Sequence, residues 1–163
     1  MTNKQLFETY ISEHINGIYR FAYTYTKNQE EAEDVVNESV VKALKAINSL
    51  RNPNQMGTWF YRIVANTALT NLKKNGKMVY LDPVDMADVQ GDGNDFSDIS
   101  FEQMIEVLEP KYKSIIVLRF FEGMALEDIA LILDENLNTV KTRLYKALKI
   151  LRIEMEESLW MKN

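Results

Sequence analysis

The chain contains no cysteine. That excludes a disulfide framework, a thiolate metal site and a cysteine nucleophile. Histidine is almost as scarce. His14 stands alone, which removes most histidine-based acid–base and zinc chemistry and leaves His14 to be read as an incidental helix residue. No apolar run is long enough to span a bilayer, and the N-terminus lacks the pattern of a secretory signal, so the expected location is the cytoplasm. No internal repeat and no strand-like alternation stands out. With these classes set aside, 163 residues of ordinary globular composition allow one domain or two small ones.

Charge of one sign is also missing, segment by segment. From Ser39 to Leu81 there is no acid, while Lys42, Lys45, Arg51, Arg62, Lys73, Lys74 and Lys77 are basic. From Asp82 to Glu109 there is no base, while nine acids occur, from Asp82 and Asp85 to Glu106 and Glu109. From Asn138 to Arg152 the acids are absent again, and Lys141, Arg143, Lys146, Lys149 and Arg152 are present. The net charge of −5 therefore conceals two basic segments separated by an acidic one, a distribution suited to phosphate-facing surfaces.

The stretch Leu126–Leu151 carries the sharpest pattern. Ile129, Ala130 and Leu133 have helical spacing, Asp134-Glu135-Asn136-Leu137 is a tight break, and Asn138 is the expected N-cap of a helix starting at Thr139. Plotted at a helical period, Val140, Leu144, Ala147, Leu148 and Leu151 share one side. Lys141, Thr142, Tyr145, Lys146, Lys149 and Arg152 fall broadly on the other. Two short helices, the second with a basic outer face, fit a helix-turn-helix that reads the major groove. The same pattern also fits an ordinary amphipathic helix with a solvated basic face.

Upstream, Leu6–Thr26 is an amphipathic helix with Phe7, Ile11, Ile15, Ile18, Ala22 and Tyr25 on its stripe, and Lys27-Asn28 is its stop. Gln29–Ile47 is a second helix. Its stripe is Ala32, Val36, Val40, Ala43 and Ile47, and its opposite face is Asp34, Asn37, Glu38, Val41 and Lys45, either solvated or a docking face for a partner helix. Arg51–Gly57 is a loop marked by Pro53 and Gly57, and Thr58 is the expected cap of a third helix running from Trp59 to about Lys74. Phe60, Val64, Ala68 and Leu72 are its core stripe. Trp59, Arg62, Asn66, Thr70 and Lys73 line another face suited to stacking on bases and gripping phosphate, although a tryptophan at a helix start is equally often a core anchor. Asp82–Ser100 reads as an acidic connector. It fails as a calcium loop, because Ser97 stands where the turn glycine belongs and Gln103 where the bidentate glutamate belongs. A second helical unit begins at Phe101 with Met104, Ile105 and Leu108. Pro110 then opens a helix carrying Tyr112, Ile115, Ile116, Leu118 and Phe120, closed by Gly123. The expected fold is all-α: two small helical domains, residues 1–78 and 101–163, joined by a flexible acidic linker at 79–100.

That order resembles the extracytoplasmic-function (ECF) group of bacterial RNA polymerase sigma factors. YRFAYTYTKNQEEAEDVVNESV looks like the group's second-region core and TWFYRIVANTALTNLKK like the helix that meets the minus-ten element. LEPKYKSIIVLRFFEGMALEDIALIL followed by NTVKTRLYKALKILR looks like its fourth region. The resemblance implies a dissociable initiation subunit with no active site and no cofactor of its own. It implies that Asp34, Asn37, Glu38 and Val41 face the clamp of the polymerase largest subunit. Asn54, Trp59, Arg62, Asn66, Thr70 and Lys73 would hold the unpaired minus-ten strand, with a flipped base taken by the Asn52–Thr58 loop. Lys141, Thr142, Tyr145 and Lys146 would face the minus-thirty-five element, with Arg143 and Lys149 gripping phosphate. The implied partners are core polymerase, promoter DNA and an anti-sigma protein, often membrane-anchored. The chain departs from the group's pattern at Ala125, where a capping Ser is usual, at the turn Asp134-Glu135-Asn136, where glycine, an apolar residue and proline are usual, and at Val40, where Phe is frequent. The competing readings are a stand-alone helix-turn-helix regulator and, far behind, a carboxylate-based hydrolase.

Overall fold

A computed structural model describes residues 1–76 and 108–160, the last helix by its backbone alone from 152 onward. The expected acidic connector, Lys77, Met104, Ile105 and the side chain of Arg152 lie outside the described residues. Helix α1 spans Asn3–Thr26, α2 Gln29–Lys45 and α3 Met56–Lys74. After the undescribed segment come α4 (Pro110–Ile116), which runs on into a π-helical turn over Val117–Phe121, then α5 (Leu126–Leu133) and α6 (Leu137–Trp160). No strand occurs among the described residues.

Helix α1 starts earlier than the apolar period suggests, because Thr2 and Gln5 form a reciprocal capping box that satisfies two first-turn amides. At its end Lys27, not Asn28, takes the left-handed conformation (φ 54°). Asn28 is extended instead and caps α2, its Oδ1 accepting the Glu31 amide at 2.9 Å. Replacing Asn28 with Ala removes that acceptor, and thermal or urea unfolding should register a loss of about 1 kcal/mol.

Helices α1, α2 and α3 pack against one another, with Phe7, Ile18, Phe21, Val35, Val36, Phe60 and Val64 buried between them. Phe21 meets Tyr25 and Tyr61 with ring centroids 5.4 and 5.3 Å apart, so the aromatic run of α1 is core and rim. His14, half-buried, stacks on Tyr10 at 4.0 Å. Thr58 does not cap α3. The turn Pro53–Gln55, capped by Asn52, feeds directly into a helix that already begins at Met56, and Thr58 lies inside its first turn.

In the second unit α4 packs on α6 and α5 on α6. Tyr112, Ile115, Ile116, Leu118, Ile129, Ile132, Val140, Leu144, Ala147 and Leu151 are buried. Phe120, expected in this core, is 51% exposed. The Glu122 amide bonds to the Val117 carbonyl at 3.1 Å, five residues back. The wider turn advances the helical phase, turning Phe120 outward while Phe121 packs against the core.

The two units share a seam. Helix α3 lies along α5, and α1 meets α4 and the π-helical turn. A small cavity of about 60 Å³ remains in the seam, lined by Tyr25, Leu69, Leu72, Pro110, Leu133 and Arg143, among others.

Candidate nucleic-acid interface

Helix α6 follows a break shaped by three polar residues. Asp134 ends α5 in the left-handed conformation (φ 53°), as an aspartate tolerates better than most residues. Asn136, rather than Asn138, supplies the local cap: its Oδ1 accepts the Asn138 amide at 2.7 Å, and the helix begins at Leu137. Between them Glu135 occupies the place where an apolar residue is usual. It is half-buried, and its Oε1 accepts a hydrogen bond from Arg143 Nη1 at 3.2 Å. An ion pair to the second turn of α6 thus stands where an apolar contact is usual. Ala125, at the start of α5, makes no side-chain cap.

With Val140, Leu144, Ala147 and Leu151 buried, the opposite face of α6 carries Lys141, Thr142, Tyr145 and Lys149 in the open, Tyr145 at 66% exposure, with Lys146 half-buried beside them. Arg143 stands apart from this group, held by Glu135. Sequence reasoning missed Lys111. It lies at the start of α4, yet it lines the same groove of about 360 Å³ as Asn138, Thr139, Thr142, Arg143 and Lys146. No sequence signal marks it, because the proximity arises from α4 packing on α6.

On α3, Arg62, Asn66, Thr70 and Lys73 form one exposed strip, and Asn54 is exposed on the turn that precedes it. Trp59 departs from the strip. It is half-buried and meets Phe7 edge-on at 6.1 Å, as a core anchor does. The strip sits next to the α2 face. Lys42 Nζ donates to the buried Thr67 hydroxyl at 3.2 Å, and Asn71 Nδ2 donates to Glu38 Oε2 at 2.9 Å. Glu38 is therefore committed to the α2–α3 contact, with Lys42 also 3.7 Å away. Asp34, Asn37 and Val41 are exposed, Val41 at 51%.

Sequence reasoning also missed a polar contact in the seam. The buried Tyr61 hydroxyl of α3 donates to Glu122 Oε1 at 2.7 Å. Burial first, and then that bond, push the Tyr61 hydroxyl well above the usual tyrosine range, so it stays a donor. The same carboxylate lies against Gly17, and Arg20 stacks over Phe121 at 4.3 Å. The one hint in the sequence is a glycine in mid-helix, which marks a close approach.

Among the described residues no group of three or more histidine, cysteine, aspartate or glutamate side chains is placed to hold a metal. No described helix is long and apolar enough to cross a membrane.

Sequence comparison matches the sigma-70 region 2 family over residues 10–78 and the sigma-70 region 4 family over residues 98–151. RNA polymerase sigma factor SigV of Bacillus subtilis (strain 168) is 43% identical over 155 residues, covering 94% of this chain and 93% of that protein. The chain belongs to the ECF sigma factors of RNA polymerase. ECF RNA polymerase sigma factor SigW of the same organism is 29% identical over 157 residues, covering 86% of this chain and 83% of that one. Among solved structures, the sigma factor RpoE in complex with the anti-sigma factor NepR from Bartonella quintana superposes with a TM-score of 0.69 at 21% identity, covering 92% of this chain and 96% of that one. This likeness shows a shared fold. As a sigma factor, the chain serves promoter-specific transcription initiation, and α6 with α5 is the helix-turn-helix of its region 4.

Proposed function

We propose that this sigma factor divides a promoter between two surfaces while core polymerase supplies the chemistry. Region 2 presents Asp34, Asn37 and Val41 to the clamp of the largest subunit, with Glu38 at the edge of that face, where it also braces α2 against α3. The strip Arg62, Asn66, Thr70 and Lys73, with Asn54 before it, holds the unpaired minus-ten strand. Trp59 contributes as the anchor that fixes the start of α3 rather than as a stacking platform. Region 4 lays α6 in the major groove at the minus-thirty-five element, where Lys141, Thr142, Tyr145 and Lys146 meet base edges and Lys149 meets phosphate. Arg143 reaches phosphate only after leaving Glu135.

The observation that carries this reading is the division of α6 over Asn138–Lys149 into a buried apolar face of Val140, Leu144 and Ala147 and an outer face of cations with no acid. The chain works in the cytoplasm and has no active site or cofactor of its own. The sigma factor RpoE is in complex with the anti-sigma factor NepR, and CnrH, whose fold this chain also shares, with the cytosolic domain of CnrY. A partner of that class, soluble or membrane-anchored, is proposed here too.

A fluorescent base analogue in the minus-ten strand reports opening directly. Holoenzyme built with this chain should raise its signal. Asn66→Ala combined with Thr70→Ala should lower the extent of opening about thirtyfold, since each lost base contact costs roughly 1 kcal/mol, while binding to a duplex minus-thirty-five element stays unchanged. Full opening by the double variant would remove α3 from the minus-ten assignment.

A further inference from the structure

Of the described cations of α6, Arg143 alone has an acid against it. Its Nη1 lies 3.2 Å from Glu135 Oε1, whereas Lys141, Lys146 and Lys149 have no acid partner among the described residues. The two side chains are mostly out of solvent, Arg143 22% and Glu135 31% exposed, so salt screens this pair less than it screens a surface pair. Glu135 is also fixed along its backbone. Its amide donates to the Ala130 carbonyl at 3.0 Å, Asp134 before it takes the left-handed turn, and Asn136 after it caps α6. A carboxylate on so fixed a backbone loses little freedom when it takes a partner.

Arg143 stands between two surroundings. On one side it lines the small cavity with Leu133 and Glu135. On the other it lines the basic groove with Lys111, Thr142 and Lys146. A guanidinium presents a planar fork of donors that fits a carboxylate or a phosphate. While Glu135 holds that fork, a duplex lying on α6 does without it. Phosphate contacts add affinity on every sequence alike, whereas base-edge contacts supply choice. What Glu135 withholds is therefore affinity without selectivity.

We propose that Glu135 is an internal competitor of DNA phosphate: by holding Arg143 it keeps one sequence-blind contact out of the minus-thirty-five complex. The proposal rests on the promoter reading above, which places α6 on that element. An apolar residue in the turn exerts no such restraint. The acid leaves a larger share of the binding to the base-reading residues Lys141, Thr142, Tyr145 and Lys146.

Holoenzyme titrated with dye-labelled promoter duplex over a salt series tests this, with the minus-thirty-five element intact or scrambled. Glu135→Leu puts an apolar side chain in the turn and releases Arg143, and Glu135→Gln removes only the charge. Each should bind about fivefold more tightly at low salt, by the same factor on both duplexes, with the log–log salt slope steeper by about 0.9, the share of one phosphate. Adding Arg143→Gln to either variant should abolish the gain and the extra slope, and the same change should cost far less in the parent. An unchanged slope in both Glu135 variants, with only the melting temperature altered, would make the pair a staple of the turn and overturn the proposal. A gain that survives Arg143→Gln would trace to the lost negative charge alone and overturn it as well. So would a gain confined to the intact element, which would make Arg143 a base reader. Each of these results leaves the promoter reading standing where Lys141→Glu/Lys146→Glu weakens binding in the same assay. Parent and Lys141→Glu/Lys146→Glu holoenzymes that bind alike would instead overturn the promoter reading, and the role of Glu135 with it.

Discussion

Reversing Lys141 and Lys146 to glutamate should lower promoter-dependent transcription by the reconstituted holoenzyme at least about a hundredfold at near-physiological salt. Two favourable contacts are lost, and two like-charge contacts with the duplex are gained. One base or phosphate contact is commonly worth about 1–3 kcal/mol, so the pair reaches a hundredfold with a conservative share from each. The fold should not suffer. Lys141 is exposed and Lys146 half-buried, while the core of the unit rests on Val140, Leu144, Ala147 and Leu151 on the other side of α6. A thermal melt matching the parent's would show that the loss belongs to DNA engagement. Salt supplies a second check. The parent's binding should fall more steeply with salt than the variant's, because replacing two cations in the groove with anions lowers the number of counterions released on binding.

The second large effect concerns α2. Val41 is 51% exposed in a helix whose other valines are buried or half-buried, and Asp34 is exposed two turns before it. An open valine one turn after Glu38 and two turns after Asp34 is a solubility cost on a monomer and an asset on a docking face. Replacing Val41 with Asp and Asp34 with Arg should weaken holoenzyme assembly about a hundredfold in a titration of labelled chain with core polymerase. Losing a buried valine removes about 1.5–3 kcal/mol, and each 1.4 kcal/mol is tenfold in affinity. Glu38 is left out of this variant deliberately. Its bond from Asn71 joins α2 to α3, so its removal would mix docking with stability. Unchanged assembly by the double variant would move the polymerase surface elsewhere.

Much of this arrangement was legible in the chain before any coordinates. The stripes of α1, α2, α3 and α6 follow a helical period because each of these helices buries one face, and burial is what writes the period into the sequence. Boundaries were less legible, for local reasons. Asn136 and Asn138 are both competent caps, and only the backbone shows which one accepts a bond. Pro53 announces a break, but the turn it opens runs straight into α3 without a separate cap. Phe120 is expected in the core because nothing in its neighbours' spacing marks a π-helical turn. One extra residue in that turn is enough to send the ring to solvent.

At the candidate site the exposed residues of α6 and α3 follow from the same stripes read in reverse. What the stripes cannot show is pairing between elements. Glu135 breaks the apolar pattern of the turn, and only the fold shows Arg143 against it. Tyr61 and Glu122 lie 61 residues apart, and no periodicity connects residues so far separated. The face of Trp59 was ambiguous for a related reason: its partner Phe7 belongs to another helix.

Reconstitution tests the central claim most directly. The purified chain is added to sigma-free core polymerase with a template bearing both promoter elements, and transcripts starting at a single defined position are measured. Transcripts that appear only with the chain present, only on templates carrying the promoter, and that vanish with Lys141→Glu/Lys146→Glu are the predicted result. A chain that binds the duplex unaided and starts no transcript with core polymerase would contradict the account and make it a stand-alone regulator.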